Sequence, residues 1–314
     1  MECAKFIMTI GVPGAGKSTW IEKCVKLNPE ADIEVLSSDA IREEVFGDVN
    51  DQSHNTEVFE ILHKRVFAAL KQRKTVIYDA TNLSRKRRKG FLNSLKSLEN
   101  DSFKIKRIAV VIAATIEDCL KRNWSRARHV PDEVIISMYK KIQMPKYSEG
   151  WDEIYYAPTS DLQSLWNTLR KCEIDHDNHW HPRNISEHMD AVGEYVKNHF
   201  VKDEYLIDVL TAAAHHDIGK PIVKSRMKQN GEVDVESHYY NHADVGAYIA
   251  ASYDCFSADV INLILYHMDI MNESHGNENF DPRETKAYKE VLLYFGKPFA
   301  ESLVLLNEAD RAMP

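Results

Sequence analysis

The sequence predicts two domains, a parallel α/β domain followed by an all-α domain. Its 314 residues suffice for two units that each bury their own core. In the first half, short apolar runs alternate with longer amphipathic patterns, as in a parallel sheet covered by helices. Beyond Pro145 the rhythm changes, and after about residue 175 the patterns are helical only. We therefore expect an α/β domain over residues 1–155, a linker near 145–175 and a helical domain over residues 175–314.

The α/β domain is predicted from strands that alternate with helices. The strands are apolar, and the helices repeat apolar residues at spacings of three and four. The segment 151–159 is aromatic and irregular, so no strand is expected there. The predicted strands are 6–10, 33–37, 75–78 and 105–113, and the predicted helices are 18–27, 56–71 and 132–141.

The second half is predicted to contain helices only. A stop signal, Gly219-Lys220-Pro221, follows the second of these helices. Several helices in such a domain can each direct one side chain into a shared interior. The predicted helices are 186–197, 204–216, 242–253, 258–267, 283–294 and 298–312.

Composition indicates an ordinary soluble globular protein. Apolar residues make up 44% and charged residues 28% of the chain. The five cysteines show no C-x-x-C spacing, so we expect free thiols in a reducing compartment. The apolar run 6–10 leads directly into a glycine loop, and no stretch approaches the ~18 apolar residues of a membrane helix. We expect a cytoplasmic protein with no signal peptide and no membrane attachment.

The net charge of −8 gives no sign of a nucleic-acid-binding surface, but the basic residues are clustered. Residues 85–89 form one run, Arg-Lys-Arg-Arg-Lys, and a looser group comprises Lys220, Lys224, Arg226 and Lys228. Each cluster, taken alone, is interpreted as a solvated helix face.

Residues 11–18, Gly-Val-Pro-Gly-Ala-Gly-Lys-Ser, form a complete phosphate-binding pattern between an apolar strand and a helix. Glycines let backbone N–H groups face phosphate oxygens, and the helix N-terminus adds its positive dipole end. We expect Lys17 to bridge the β- and γ-phosphates of ATP and the Ser18 hydroxyl to bind Mg²⁺. The alternative, an incidental glycine turn, is disfavoured by the flanking elements. The ATP-binding residues expected here are Gly11, Gly14, Ala15, Gly16, Lys17, Ser18 and Thr19.

Asp39 follows the second predicted strand, at the carboxyl edge of the sheet where substrates bind. A carboxylate there can accept the proton of an attacking hydroxyl. Arg42 lies three residues later on the same helix face and is suited to hold a phosphate on the acceptor. The alternative for Asp39 is a helix N-cap, which the sequence also permits.

Arg122 and Arg126 are four residues apart and are expected on one helix face. Two guanidinium groups on a mobile segment suit a lid that closes over ATP and the phosphates being transferred. Paired arginines on an exposed helix are more often solvent-facing, so this signal is weak without the others.

Together these motifs resemble the 5′-kinase domain of polynucleotide kinase-phosphatases of the phage type, over roughly residues 5–145. The resemblance implies that Asp39 is the general base toward a polynucleotide 5′-hydroxyl. It also implies that Arg42 contacts the acceptor phosphate and that Arg126 contacts the phosphates of ATP. Asp79, at the end of the third strand, would either orient a Mg²⁺-bound water or brace the loop. The catalytic residues expected in this half are Asp39, Lys17 and Arg126.

Four metal-ligand side chains lie far apart in the second half, as a helical bundle requires when each helix contributes one inward ligand. Imidazole and carboxylate without thiolate suit Mn²⁺, Fe²⁺, Co²⁺, Ni²⁺ or Zn²⁺. His242 and His267 lie at the ends of intervening helices and are placed to complete a second metal site. The four side chains are His188, His216, Asp217 and Asp310.

Single histidines are weak signals, because the chain has 14 of them and most are expected to be ordinary polar residues. The histidines interpreted as bystanders are His176, His179, His181, His215, His238 and His275.

The segment 212–221, Ala-Ala-Ala-His-His-Asp-Ile-Gly-Lys-Pro, resembles the defining segment of the HD superfamily. The surroundings of His188 and His242 resemble its other ligand segments, so the similarity extends over about 175–314. The resemblance implies an all-α bundle in which a metal-activated hydroxide attacks a phosphate ester, with Lys220 neutralising charge on the phosphate. The sequence contains no Asp-x-Asp-x-Thr motif, which marks the usual phosphatase of polynucleotide kinase-phosphatases.

These resemblances imply a bifunctional nucleic-acid end-healing enzyme. It would phosphorylate 5′-hydroxyl ends with ATP and Mg²⁺, and would remove a 3′-phosphate with a transition metal, opening a 2′,3′-cyclic phosphate where one is present. Two alternatives stay open: a nucleoside or small-molecule kinase fused to a nucleotide phosphohydrolase, and a nucleotide-sensing module whose second half binds without cleaving. The sequence does not decide between DNA and RNA, the native metal, or whether the chain forms a homo-oligomer.

Overall fold

The computed structural model of the chain describes residues 2–126, 129–179, 181–199, 206–273 and 280–313. The chain divides into two compact units. The first comprises Met1–Ile135 and Pro145–Thr159, and the second comprises Ile136–Met144 and Ser160–Pro314. The domain limits 1–155 and 175–314 stay predictions of the sequence.

The first unit is built on a five-stranded parallel sheet. The strand order is β2-β3-β1-β4-β5, so the strand before the glycine loop is central. Central strands in such a sheet are covered on both faces, and the side chains of Phe6, Met8 and Ile10 on β1 are accordingly buried. The strands are β1 (Glu2–Ile10), β2 (Ile33–Ser37), β3 (Thr75–Asp79), β4 (Phe103–Ala113) and β5 (Glu153–Pro158).

The register of the strands places the predicted site residues at one edge. Met8 of β1 pairs with Tyr78 of β3, and Ser37 at the end of β2 pairs with Asp79 at the end of β3. The glycine loop, the start of the helix after β2 and Asp79 therefore lie together at the carboxyl edge of the sheet.

The strand β5 corrects the prediction of an irregular segment at 151–159. Its residues pair in parallel with β4, from Glu153 opposite Ile108 to Pro158 opposite Ala113. It is an edge strand whose residues are half-buried or exposed, with Tyr155 52% exposed. Edge strands lack a continuous apolar run and tolerate proline at their end, so the sequence pattern was weak there.

In the described part of the chain, six α-helices precede β5. Three of them, α1, α3 and α6, match predicted helices to within one residue at each end, and the other three are short or polar. The helices are α1 (Lys17–Leu27), α2 (Ser38–Phe46), α3 (Asn55–Lys71), α4 (Arg85–Leu95), α5 (Ile116–Trp124) and α6 (Asp132–Lys140).

The basic run 85–89 forms the first turns of α4 and is not uniformly solvated. Lys86 and Lys89 are exposed, as the interpretation of the run requires. Arg88 is buried, and its Nε and Nη2 each donate to a carboxylate oxygen of Glu149 at 2.8 Å. The interpretation is wrong for Arg88, because a guanidinium can be buried when a carboxylate accepts from it in a bidentate pair.

The second unit is helical around a core in which α12 is almost wholly buried, from Val260 to His267. The prediction of an all-helical unit holds for this core, since α12 packs on α9, α11, α13 and α14. No helix in the described part of the chain is both long and apolar enough to cross a membrane. The helices are α7 (Leu165–Arg170), α8 (Ile185–His199), α9 (Leu206–Ala213), α10 (Lys220–Val223), α11 (His242–Ala250), α12 (Ala258–Glu273), α13 (Lys286–Phe295) and α14 (Lys297–Ala312).

An antiparallel hairpin corrects the expectation that this unit contains helices only. It consists of β6 (Ser225–Met227) and β7 (Val233–His238), with Gly231 at φ 90° in the turn between them. Val233 and Val235 are 77% and 85% exposed, so alternation of buried and exposed residues does not mark this strand.

Gly219 has a different role from the predicted helix stop. The helix α9 ends at Ala213, and Gly219 precedes the short helix α10. A Cβ on Gly219 would lie 2.2 Å from the carbonyl oxygen of His242 and 2.6 Å from the amide nitrogen of Gly246. The turn that carries His216 and Asp217 therefore packs against the backbone of α11 at a distance only glycine allows.

Candidate phosphate-binding and metal sites

The phosphate loop requires glycine at two positions for two reasons. Gly14 and Gly16 have φ angles of 83° and 101°, which residues with a Cβ rarely adopt. A Cβ on Gly14 would also lie 2.3 Å from the carbonyl oxygen of Cys119. The helix α1 begins at Lys17 directly after the loop, so its N-terminal N–H groups lie beside it.

Lys17 lies across this loop. Its Nζ donates to the carbonyl oxygens of Gly11 at 2.9 Å and Val12 at 3.0 Å. Burial lowers its pKa, an effect that the carboxylate of Asp79 opposes. An ammonium held in this position is suited to bind the oxygens of a polyphosphate.

The end of β3 holds the loop from behind. The Gly11 amide donates to the carbonyl of Thr81 at 3.1 Å, and the Asn82 side chain donates to the carbonyl of Thr9 at 2.7 Å. Asp79 accepts from the Thr9 hydroxyl at 3.3 Å, and burial raises its pKa. Thr81 and Asn82 thus brace the loop, Asp79 contacts the strand before it, and both roles expected for Asp79 stay predictions.

Asp39 begins the first turn of α2 with a carboxylate that is about half exposed. Its backbone amide donates to the Ser37 hydroxyl at 3.3 Å, so Ser37 is the N-cap of this helix. The alternative interpretation of Asp39 as an N-cap is therefore wrong. The side chain of Asp39 is 51% exposed, at the edge of the sheet where an acceptor hydroxyl would enter.

Arg42 donates to this carboxylate, and two further hydrogen bonds fix its guanidinium group. Its Nη1 donates to Asp39 at 2.9 Å, its Nη2 to the Asn55 side chain at 2.6 Å and its Nε to the carbonyl of Asp51 at 3.1 Å. The Arg42 side chain is only 7% exposed. This geometry favours a positioning role for Arg42 toward Asp39, and its contact with an acceptor phosphate stays a prediction.

Arg122, in the last turn of α5, contacts the phosphate loop. Its Nη1 donates to the Thr159 hydroxyl at 2.9 Å and lies 3.5 Å from the carbonyl oxygen of Gly14, while its Nη2 donates to the Thr159 carbonyl. Arg122 is therefore placed beside the loop, as the prediction of ATP binding requires.

Arg126 is not on the same helix face, so that prediction is wrong. The Ser125 hydroxyl and amide both donate to the carbonyl of Arg122, and α5 ends at Trp124. Arg126 is exposed and lies beyond the end of the helix. Burial is the main cause of the lowered pKa of Lys17, and the charge of Arg126 lowers that pKa further. Arg126 therefore does not share a helix with Arg122, and its contact with ATP stays a prediction.

In the second unit, His188, His216 and Asp310 form one cluster of potential metal ligands. His188 Nε2 lies 3.0 Å from Asp310 Oδ1 and 3.2 Å from His216 Nε2. Their ligand atoms all lie within 4.8 Å of one another. The helices α8 and α14 and the turn after α9 bring them together, although His188 and Asp310 are 122 residues apart in sequence.

Asp217, His242 and His267 form a second cluster, whose ligand atoms also lie within 4.8 Å of one another. Asp217 Oδ1 lies 3.4 Å from His242 Nε2 and 4.0 Å from His267 Nε2. Its other oxygen, Oδ2, lies 3.4 Å from His216 Nε2 and 3.5 Å from His188 Nε2. Asp217 therefore lies between the two clusters, with one carboxylate oxygen toward each.

The four histidines share an arrangement that leaves Nε2 for a cation. The Nδ1 atoms of His188, His216, His242 and His267 each lie 2.7 or 2.8 Å from a backbone carbonyl oxygen. A carbonyl only accepts, so Nδ1 carries the proton and a neutral ring has an unprotonated Nε2. These Nε2 atoms face each other in pairs at 3.2 Å, where two acceptors cannot bond but can share one metal.

The charges of the clusters also fit a cation. Burial opposes ionisation of Asp217 and Asp310, but the adjoining positive and hydrogen-bonding groups hold the pKa of both carboxyls well below the usual range. Asp217 Oδ2 is buried without a hydrogen-bond partner among the residues described. Burial lowers the pKa of His267 to about 3, whereas at His216 burial is outweighed by the charge of Asp217, which raises the pKa of that imidazole to about 10. Imidazoles with anionic carboxylates are the ligand types that divalent transition metals take.

Lys220 lies beside these clusters, so its interpretation as part of a solvated basic group is wrong. Its side chain is 7% exposed, and Nζ lies 2.6 Å from Asp217 Oδ2. Nζ also donates to His176 Nε2 at 3.1 Å. The ammonium therefore lies beside the ligand clusters, and its role toward a phosphate stays a prediction.

Two of the supposed bystanders, His176 and His181, lie in the site. Their rings stack at 4.3 Å, and the ring of His181 contacts that of His188 at 5.2 Å. Burial, with the charge of Lys220, lowers the pKa of His176 to about 4 and that of His181 to about 3. Both are in the loop before α8, where no helical period marks an inward face. The available signal was the density of histidines ahead of His188.

The other supposed bystanders make contacts of their own. His179 pairs with Glu236, His215 donates to the carbonyl of Thr211, and His238 contacts Asp234. None of the three belongs to the two clusters formed by the described residues. The remaining one, His275, lies outside the described residues.

Comparison with known families agrees with this division of the chain. Residues 6–145 match the sequence model of the family described as an AAA domain, and residues 181–311 match that of the HD domain. The chain carries a P-loop kinase domain and an HD domain. The first of these contains the phosphate loop, and the second contains both ligand clusters.

Two curated proteins are similar to part of the chain. L-seryl-tRNA(Sec) kinase of Methanococcus maripaludis is 29% identical over 148 residues, which are 46% of this chain and 55% of that protein. Heterogeneous nuclear ribonucleoprotein U-like protein 2 of Homo sapiens is 27% identical over 171 residues, 50% of this chain and 22% of that protein. The chain thus spans about half the length of the first relative and about a fifth of the second.

Solved structures of low identity also overlap the chain. The Pnkp1/Rnl/Hen1 RNA repair complex matches with a TM-score of 0.35 and 23% identity, over 44% of this chain and 43% of that one. A fungal RNA kinase matches with a TM-score of 0.38 and 15% identity, over 67% of this chain and 96% of that one.

Proposed function

We propose that the protein heals nucleic-acid ends, with the kinase domain phosphorylating 5′-hydroxyl groups and the HD domain removing 3′-phosphates. The observation that carries the proposal is the presence of two complete and chemically opposite sites in one chain. One has a phosphate loop with a carboxylate for an acceptor hydroxyl, and the other has paired metal clusters with a buried lysine. Their products, a 5′-phosphate and a 3′-hydroxyl, are the ends that a ligase joins.

The kinase half of the proposal rests on how the site presents Asp39. Its exposed carboxylate, held by Arg42, is suited to take the proton of an attacking hydroxyl as ATP transfers its γ-phosphoryl group. Lys17 would bind the ATP phosphates and Ser18 would hold Mg²⁺. The similarity to a kinase named for a tRNA substrate supports an acceptor hydroxyl carried on RNA.

The HD half rests on the two ligand clusters. Divalent transition metals bound there would supply water activation and charge neutralisation for phosphate ester hydrolysis. Lys220 would contact a phosphate oxygen, and Asp217 would be shared between the clusters. A 2′,3′-cyclic phosphate would be opened before the remaining phosphate is released.

The deciding experiment uses ATP, Mg²⁺ and Mn²⁺ with RNA and DNA oligonucleotides that carry a 5′-hydroxyl and a 3′-phosphate, and resolves both ends. We expect a 5′-phosphate and a 3′-hydroxyl on the same strand. Parallel reactions test the metabolic alternative, with nucleosides as acceptors for the kinase and nucleotides as substrates for hydrolysis by the HD domain. Turnover of nucleosides and nucleotides with intact oligonucleotide ends would overturn the proposal.

A further inference from the structure

Lys220 has a long flexible stem, and its ammonium has three protons but no acceptor site of its own. Its position near the ligand clusters must therefore be fixed by the groups around it. One is the carboxylate of Asp217, whose Oδ2 lies 2.6 Å from Nζ. Another is His176 Nε2, to which Nζ donates at 3.1 Å, and the ring of Tyr239 lies 5.5 Å from Nζ. His176 is thus the neutral acceptor that directs one ammonium proton away from the carboxylate.

The ring of His176 is fixed so that it can accept this bond. Its Nδ1 lies 2.9 Å from the carbonyl oxygen of Arg183, which only accepts, so Nδ1 carries the ring proton. Nε2 of the neutral ring is then the acceptor that faces Lys220. The hydroxyl of Tyr239 donates to the carbonyl of His176 and ties the backbone of the same residue.

The neighbouring rings hold the plane of His176. His181 stacks on it at 4.3 Å with an interplanar angle of 25°, and the ring of His188 meets it edge-on at 5.7 Å. The side chain of His176 is buried, as is that of Lys220. A change in this stack would therefore move the acceptor toward which the lysine points.

We infer that His176 is a positioning residue for Lys220 in the HD site, accepting one ammonium proton so that another is directed to the substrate phosphate. The inference rests on the proposed phosphohydrolase function. Without this acceptor the ammonium would keep the carboxylate of Asp217 and the face of the Tyr239 ring, 5.5 Å away, and would be drawn toward the carboxylate oxygen that lies between the clusters. We therefore expect loss of His176 to lower turnover while the ligand set itself stays intact.

The test compares His176→Leu, which removes the acceptor, with His176→Gln, which keeps one near the position of Nε2. In the full-length protein with Mn²⁺, His176→Leu should lower kcat for 3′-phosphate release by about 10–100-fold, the usual effect of losing an outer-shell partner. His176→Gln should recover most of that loss. The control is His179→Leu, an exposed histidine of the same segment, which should leave the rate unchanged.

A second arm separates positioning from packing. In a Lys220→Met background, His176→Leu should cause no further loss, because the group it positions is already gone. Additive losses, or a wild-type rate in His176→Leu, would overturn the inference. Bound manganese and 5′-phosphorylation should be unchanged in all variants, which reports on folding.

A third arm needs no turnover. Nitrogen NMR of the histidine-labelled, metal-free protein should show His176 as the Nδ1–H tautomer, with an Nε2 resonance that shifts in Lys220→Met. An unshifted resonance would refute the contact. Hydrolysis of p-nitrophenyl phosphate is measured beside the oligonucleotide reaction. If the losses caused by His176→Leu and Lys220→Met are non-additive with this ester while oligonucleotides release no phosphate, the end-healing proposal is rejected and the positioning role is supported.

Discussion

The kinase site and the HD site are built from different groups, the first mainly from backbone amides and the second from buried side chains. In the kinase domain the binding surface is largely backbone, a glycine loop at a sheet edge, and the side chains of Ser18 and Asp39 are exposed. In the HD domain the ligand atoms belong to side chains buried between helices, each histidine oriented by a backbone carbonyl.

The difference follows from what each site must bind. A nucleotide substrate that binds and leaves in every cycle would be suited by a loop with open amides and an exposed carboxylate. A resident metal would be suited by ligands that are prebuilt and held by outer hydrogen bonds that fix their tautomers. The kinase site should therefore tolerate changes around it that the HD site does not.

The largest effects are expected from a reciprocal pair of substitutions that would break this comparison if it is wrong. Lys17→Ala should abolish 5′-phosphorylation and spare phosphate release. Asp217→Asn removes the charge shared by both clusters and should lower phosphate release by roughly 10³-fold or more, since metal-based charge stabilisation is worth several kcal/mol. Both ends of one oligonucleotide are resolved in each reaction. A folded variant that loses both activities would contradict the separation of the sites.

A smaller but still large effect is expected at the acceptor carboxylate. Asp39→Asn should lower 5′-phosphorylation by roughly 10²–10⁴-fold, because general-base catalysis is lost while shape is kept. ATP affinity, measured by calorimetry, should be unchanged since the loop is untouched. Arg42→Met serves as the companion variant, with a milder loss if Arg42 acts by holding Asp39. Near-normal phosphorylation by Asp39→Asn would remove the base assignment.

Metal exchange sharpens the comparison further. After removal of metals by a strong chelator, Mg²⁺ alone should restore the kinase, which needs oxygen ligands only, and leave phosphate release low. Adding Mn²⁺, Ni²⁺, Co²⁺ or Zn²⁺ should restore release in the wild type but not in His216→Ala. Full release with Mg²⁺ alone would mean that the imidazole clusters are not the working site.

The smallest expected effect concerns stability. Lys86 and Lys89 are like charges in the first turns of α4, which contain no acidic residue and lie at the positive end of the helix. Lys86→Gln with Lys89→Gln should raise stability by about 0.3–1 kcal/mol for each charge removed. The unfolding transition of the kinase domain in urea measures this, with Lys23→Gln and Lys26→Gln on α1 as a control. A raised KM for oligonucleotides instead would show that the run binds the strand.

The sequence predicts the two sites unequally for physical reasons. The phosphate loop is contiguous, so its glycines and Lys17 are recognisable without the fold. The HD ligands on helices follow a known order, but His176 and His181 lie in a loop, where no period identifies the buried face. The predicted helix position of Arg126 is wrong because α5 ends before it, at a turn where the Ser125 hydroxyl donates to the carbonyl of Arg122.

The fold itself follows the same rule. Strands with two covered faces, such as β1 and β4, are predicted from their apolar runs, because burial on both sides demands them. The edge strands β2 and β5 each have one neighbour, and β5 is missed because its segment is aromatic, irregular in pattern and ends at a proline. The sequence leaves two roles open for Asp39, a general base and a helix N-cap. The structure excludes the N-cap role, because the hydroxyl of Ser37 caps α2.

Gly219 coordinates nothing, yet it determines how closely the two ligand groups approach. Its missing methyl group lets the turn bearing His216 and Asp217 lie against the backbone of α11, whose first residue is His242. The separation of Asp217 from His242 therefore depends on a residue that is itself no ligand. Adding one carbon atom there would push the turn away from α11 and change the distances within the second cluster without replacing any of its ligands.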